Sequence, residues 1–404
     1  MRFFRLGLLA CAGALLCTSI VPLTPARADD QPIKIAVITD MSGVYAKVGG
    51  AGAVDATRLA VEDFGGKVLG RPIVVDAVDH RNTAAEGASK AREEFDTGAE
   101  LALDMTNSAV ALAVSGVSKE KHKLSIVTGG ASSALTGAAC EKYTYHYAYD
   151  TYALAHSLGS AVAEGGGKTW YGIQPDYAFG KAMLADFTAA IKPYGGEFIH
   201  TDVMPLGTTD FSSYMIAAKN AKPQVLALLN AGLDTVNSMK AARQFGLDKQ
   251  MKIAVGLLFL TDVEALPDLF AGSTITTSWY WNLDKPARTW ADRFAARNNG
   301  ARPTDIQASD YSATWQWLSA VKAVGSTDAD KIVAYLDGRS FNDFYARNAT
   351  WRARDHRVLH DMYVVDVLPQ SEVKEPHAWY KVVKTIPAAQ AFRPADQSVC
   401  VKDW

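Results

Sequence analysis

Ile33-Lys34-Ile35-Ala36-Val37-Ile38, running into the polar loop Thr39-Asp40-Met41-Ser42-Gly43-Val44-Tyr45, sets the reading of the whole chain. Five of its first six residues are apolar, the pattern of a strand buried on both faces. Residues 50–64 follow as a helix, with Ala53, Ala56, Ala60 and Phe64 at helical spacing. Working outward, 73–78, 101–104 and 124–128 read as strands, with helices over 84–95 and 109–122 between them. Strands separated by single helices imply right-handed βαβ units and a parallel sheet. The pattern then begins again: strands at 169–174, 197–203, 225–229, 253–255 and 274–279, helices at 179–194, 211–221 and 234–245. Two such blocks predict two doubly wound α/β lobes. After residue 279 the pattern changes to three helices (286–297, 305–324, 329–336) and a hairpin around 351–367.

With 404 residues and a formal net charge of −2, the chain is long enough for two cores. It lacks the basic excess expected of a nucleic-acid partner. Residues 1–28 read as a secretory signal peptide: Arg2 and Arg5, an apolar run over 6–21, then Ala26-Arg27-Ala28. The apolar run is shorter than the roughly 20 residues of a membrane span; Leu8-Leu9-Ala10-Cys11 only loosely resembles a lipobox. Removal of that leader leaves two cysteines, Cys140 and Cys400, which in an oxidising compartment predict one disulfide tying down the tail, the alternative being two free thiols.

In open α/β sheets ligands bind beyond the carboxyl ends of the strands. Those ends here include Asp104-Met105-Thr106-Asn107-Ser108 and Thr128-Gly129-Gly130-Ala131-Ser132-Ser133, small-polar loops that lead into helix starts. Free backbone N–H groups and hydroxyls there suit a carboxylate, although ordinary N-capping by Ser108 or Ser132 also accounts for them. Tyr45, Tyr177 and Phe179 lie on strand-end loops and could line a cleft. Tyr143, Tyr145, Tyr147, Tyr149 and Tyr152, and Trp279, Tyr280 and Trp281, are expected chiefly to pack a hinge. Gly49-Gly50-Ala51-Gly52 lacks the Lys-Ser/Thr of a phosphate loop. His356 and His360 stand four apart but read as surface histidines without a third metal ligand. No catalytic constellation is evident, so no catalytic residues, metal or cofactor are expected and an enzyme is disfavoured.

The opening Lys34-Ile35-Ala36-Val37, Met41-Ser42-Gly43 and Ala134-Leu135-Thr136-Gly137 resemble the leucine/isoleucine/valine-binding, type I periplasmic binding proteins of ABC transporters. The likeness is closer to a proteobacterial branch carrying Asp150-Thr151-Tyr152-Ala153-Leu154-Ala155, Asp176-Tyr177-Ala178-Phe179-Gly180, Asp210-Phe211-Ser212-Ser213 and Asn230-Ala231-Gly232. The resemblance implies two lobes, 29–148 plus 280–347 and 149–279 plus 348–404, joined by a three-segment hinge that closes on ligand. It implies a monomer in the periplasm whose partners are a small organic anion and an inner-membrane ABC permease with its ATPase. By the same resemblance the ligand meets Ser108, Gly129, Gly130, Ala131 and Ser132 on one lobe and Phe179 and Asn230 on the other, with Tyr45, Tyr152, Leu258 and Phe259 around it. Amino-acid-binding members hold the ammonium with an acidic side chain after the strand at 253–255; here Gly256-Leu257-Leu258-Phe259 is apolar. A buried ammonium without a counter-charge is costly, so the expected ligand is an aromatic or aliphatic carboxylate. The alternatives are a branched-chain amino acid, reached by Asp176, Asp234 or Asp262, and a sensory receptor for a small ligand.

Overall fold

Strand β1 (Ile33–Thr39) is buried at every position but Lys34. The chain continues through β2 (Lys67–Val68), β3 (Arg71–Asp79), β4 (Ala99–Asp104), β5 (Leu124–Val127) and β6 (Thr144–His146). Between them lie α1 (Gly50–Asp63), α2 (Ala84–Asp96) and α3 (Ser108–Lys121). The computed structural model describes Met1, residues 31–402 and Trp404, so beyond Met1 the expected leader lies outside the described residues. Strands β3, β1, β4, β5 and β6 pair in that order, all parallel. Alternation along β1 separates two cores: Ile35 and Val37 join the large apolar cluster, while Ala36 and Ile38 pack with Val110, Val114 and Val117 of α3.

The second block gives β7 (Thr169–Pro175), β8 (Glu197–Met204), β9 (Val225–Leu228) and β10 (Lys252–Val255), a four-stranded parallel sheet in the order β10-β9-β7-β8. Here β11 (Thr274–Thr277) departs from the expectation that it completes this sheet. It belongs to a separate antiparallel sheet with β15 (Met362–Val367) and β16 (Tyr380–Ile386), in the order β11-β15-β16.

The returning segment also divides differently. β12 (Ser340–Phe341), β13 (Ala349–Arg352) and β14 (Arg357–Leu359) extend the first sheet to nine strands, through the parallel pair Arg357 and His146. The hairpin expected over 351–367 is therefore cut in two: its first part joins the first sheet and β15 joins the third. Residues 349–359, assigned by sequence to the second lobe, hydrogen-bond into the first sheet.

His356 and His360 are buried rather than on the surface. The His356 ring stacks on Tyr145 at 4.3 Å, and His360 Nε2 lies 3.0 Å from the Ala148 carbonyl. Burial, with Arg357 nearby, pushes the His360 pKa down to about 4, so the ring is neutral. A disulfide joins Cys140 to Cys400.

Candidate ligand-binding site

The carboxyl ends of β1, β4, β5 and β6 lie side by side, and those of β7, β9 and β10 face them across a small cavity of about 20 Å³. Its wall on the first sheet is Tyr45, Thr106, Asn107, Ser108, Gly129, Ala131 and Tyr149; Tyr177, Phe179, Ala231, Leu257 and Phe259 line the other side. A larger hollow, about 870 Å³, is lined by Gln224, Lys252 and Thr274 at the starts of strands, the opposite end from ligand sites in such sheets.

Each wall has a local cause. Asp40, just beyond β1, accepts hydrogen bonds from Gly43 N (2.7 Å), Tyr45 N (2.8 Å) and Asn82 Nδ2 (2.6 Å), which turns the loop so that Tyr45 enters the cavity. Asn107, not Ser108, caps α3, its Oδ1 accepting from Ala109 N and Val110 N. That frees the Ser108 hydroxyl to accept from Ala131 N and Ser132 N, both at 3.1 Å, while its own proton stays available to donate. The α3 N-terminus and the Ser108 hydroxyl, polarised by the 131–132 amides that donate to it, thus form one cradle for an anion.

The two walls touch directly. Tyr45 Oη and Tyr177 Oη are 2.6 Å apart, and burial holds both phenols protonated. Leu233 N donates to the Val44 carbonyl beside them at 3.4 Å. Ligand pockets in proteins usually measure ~300–1,000 Å³, so a ring-bearing acid requires these walls to separate.

Of the residues expected from sequence, Tyr45, Ser108, Gly129, Ala131, Phe179 and Phe259 line the cavity; Gly130, Ser132, Tyr152, Asn230 and Leu258 do not. Gly130 packs so tightly on Ala111 that a Cβ would stand 2.7 Å from its methyl. The Ser132 hydroxyl caps the short turn Ser133–Thr136. Tyr152 stacks on His156 with Arg393 over its ring. Asn230 is spent inside the second lobe on Ser238 and Thr235. Leu258 is buried while Leu257 faces the cavity in its place. Thr106, Asn107 and Tyr177 were visible as strand-end residues; Tyr149 was read as a hinge residue, and Ala231 and Leu257 carried no signal of their own.

Beneath the cradle lies a buried carboxyl pair. Asp104, with the Thr106 hydroxyl bonded to it, stands behind Gly129, and Asp310 takes the hydroxyl of Thr128. Gly49 packs here too, with Asp104 Oδ2 2.8 Å from where a Cβ would lie, so the glycine run at 49–52 serves close packing. Burial raises Asp104 to about 7, and burial plus the Asp104 charge lifts Asp310 well above the carboxylate range. A carboxyl whose folded pKa is raised binds a proton that the unfolded chain has lost, so stability falls as pH climbs from about 4 to 7. Asp104→Asn is expected to raise Tm by ~2–4 °C at pH 8 and to leave it unchanged at pH 4; equal shifts at both values, by scanning calorimetry, would exclude this cause.

A solved periplasmic binding protein from Burkholderia mallei is similar to this chain at 47% identity, covering 91% of this chain and 98% of that one with a TM-score of 0.89. A branched chain amino acid ABC transporter periplasmic ligand-binding protein from Burkholderia xenovorans LB400 is similar at 37% identity, covering 91% and 99%, TM-score 0.80. Leu/Ile/Val-binding protein homolog 4 of Brucella abortus is 23% identical over 96% of both chains. The sequence pattern of the family described as periplasmic binding protein matches residues 32–372. With two facing α/β sheets and a cavity between their strand ends, the chain belongs to the periplasmic binding protein family and is a substrate-binding protein of an ABC transporter.

Proposed function

We propose that this chain binds a small organic carboxylate in the cavity between the two sheets and delivers it to its permease. The observation that carries the reading is the lining itself: it presents the Ser108 hydroxyl at a helix N-terminus for a carboxylate and, among the described residues, no acidic side chain for an ammonium. The three aspartates that an amino acid would need are engaged elsewhere. Asp176 is exposed and paired with Lys181. Asp234 accepts from Gly207 N, and Asp262 caps its own helix at Phe259 N. Asp234, Asp104 and Asp305 lie near the cavity but none of them lines it, so an ammonium closed into it would lack a direct counter-charge, a costly burial. Export by the residue 1–28 leader, monomeric action and the absence of catalysis belong to the same reading. So does a lobe division that follows the strand pairing, with residues 349–359 in the first lobe.

A branched-chain amino acid is the second reading, favoured by the names of the Burkholderia xenovorans and Brucella abortus relatives. The two readings separate on one pair of compounds, leucine and its keto acid 4-methyl-2-oxopentanoate, which differ at the ammonium. Binding to the native state raises the melting midpoint by mass action. In a thermal-shift panel with benzoates and aliphatic acids, acids lacking an ammonium are expected to stabilise residues 29–404 and leucine is not. A shift with leucine or valine alone would defeat the carboxylate reading. For whichever acid binds, Ser108→Ala is expected to weaken Kd by ~10–100-fold, since it removes a donor to a charged group. An unchanged Kd by calorimetry would move the carboxylate off the cradle.

A further inference from the structure

We propose that Tyr149 is a specificity-determining residue, its phenol pairing with a hydroxyl group on the ligand, so that the site prefers hydroxy-substituted carboxylic acids to their unsubstituted analogues. The inference rests on the carboxylate reading above and deepens it.

Among the described residues six polar side chains line the cavity, and five have hydrogen-bond partners within the protein. Tyr45 and Tyr177 bond to each other. Thr106 donates to Asp104, Asn107 caps α3, and Ser108 accepts the 131–132 amides. Tyr149 is the sixth. It is 1% exposed, and its Oη has no hydrogen-bond partner among the described residues. An unpaired buried hydroxyl is a standing cost, which a ligand with a matching group removes and an apolar one does not.

The surroundings choose the kind of group. Burial, with the Asp305 and Asp104 carboxyls adding to it, holds the Tyr149 hydroxyl protonated. A protonated phenol can donate to or accept from a neutral ligand hydroxyl, whereas a second carboxylate buried beside it would go without a counter-charge. The Phe259 ring, 6.2 Å from that of Tyr149, leaves an apolar wall for the rest of the ligand. A site built to bond a substrate hydroxyl discriminates strongly against the analogue that lacks it.

Titration calorimetry of wild type and Tyr149→Phe tests this with two matched pairs: 4-hydroxybenzoate against benzoate, and 2-hydroxy-4-methylpentanoate against 4-methylpentanoate. In at least one pair wild type is expected to favour the hydroxy acid by ~10-fold or more, and Tyr149→Phe to erase that preference by losing affinity for the hydroxy member alone. Because the substitution removes a hydroxyl with no partner, Tm without ligand is expected to stay at or above the wild-type value, which guards against misfolding. A preference that survives in Tyr149→Phe, an equal loss for both members, or no preference in wild type overturns the assignment of Tyr149. Failure of wild type to bind any of the four acids overturns the carboxylate reading beneath it, and the inference with it.

Discussion

Arg357→Leu is expected to lower stability by about 3–5 kcal/mol, the cost of breaking a buried ion pair from one side. Arg357 is fully buried, with Nε 3.6 Å from Asp150 Oδ2 and the guanidinium 4.0 Å over the Phe392 ring. Burial pulls the Arg357 pKa down to about 10, yet at neutral pH it remains the cation that faces Asp150. Asp150 in turn caps the helix after β6, accepting from Ala153 N at 2.8 Å. Without Arg357 that carboxylate stays buried with only Arg393, itself paired with Asp186, as a remaining positive charge, and the expected fall in Tm is roughly 5–10 °C. Arg357→Leu combined with Asp150→Asn keeps the cap and removes the orphaned charge, so it is expected to recover most of the loss. A single variant within 1 °C of wild type by calorimetry would show the pair to be energetically silent.

Cys140→Ser with Cys400→Ser carries a comparable loss. The bridge spans 260 positions, and the loop-entropy account gives about 5.5 kcal/mol for a loop of that length, against the ~2–5 kcal/mol commonly found. Other contacts hold the tail, among them Arg354 donating to the Cys400 carbonyl at 2.7 Å, so the lower part of that range is expected. The double variant and the reduced wild type are expected to melt together, roughly 3–8 °C below the oxidised protein. Equal melting of oxidised and reduced wild type would mean that the tail is held without the bridge.

Much of the fold was legible because a parallel strand covered on both faces is a near-continuous apolar run, and β1, β5 and β9 are of that kind, broken only by Lys34, Thr39 and Ser125. Their helices announced themselves by spacing. The return was not legible for a physical reason: β13 and β14 are three or four residues long, and their neighbour β6 is far away in sequence. The two histidines at 356 and 360 were misjudged with them, since only that pairing buries them. At the site, sequence located the loops and not the orientation within them. Leu257 rather than Leu258 faces the cavity because of where β10 stops. Tyr149 was grouped with its neighbours, but Tyr145 and Tyr147 spend their hydroxyls on Asp337 and Ser312 while Tyr149 turns to the ligand side.

The single parallel pairing between Arg357 and His146 has a consequence for synthesis. Until the chain has emerged roughly 200 residues further, β6 is the bare margin of a growing sheet, a template for stray strands from other chains. Completion of the first sheet therefore waits on the whole second block, and a chain halted before residue 357 keeps that margin open to aggregation.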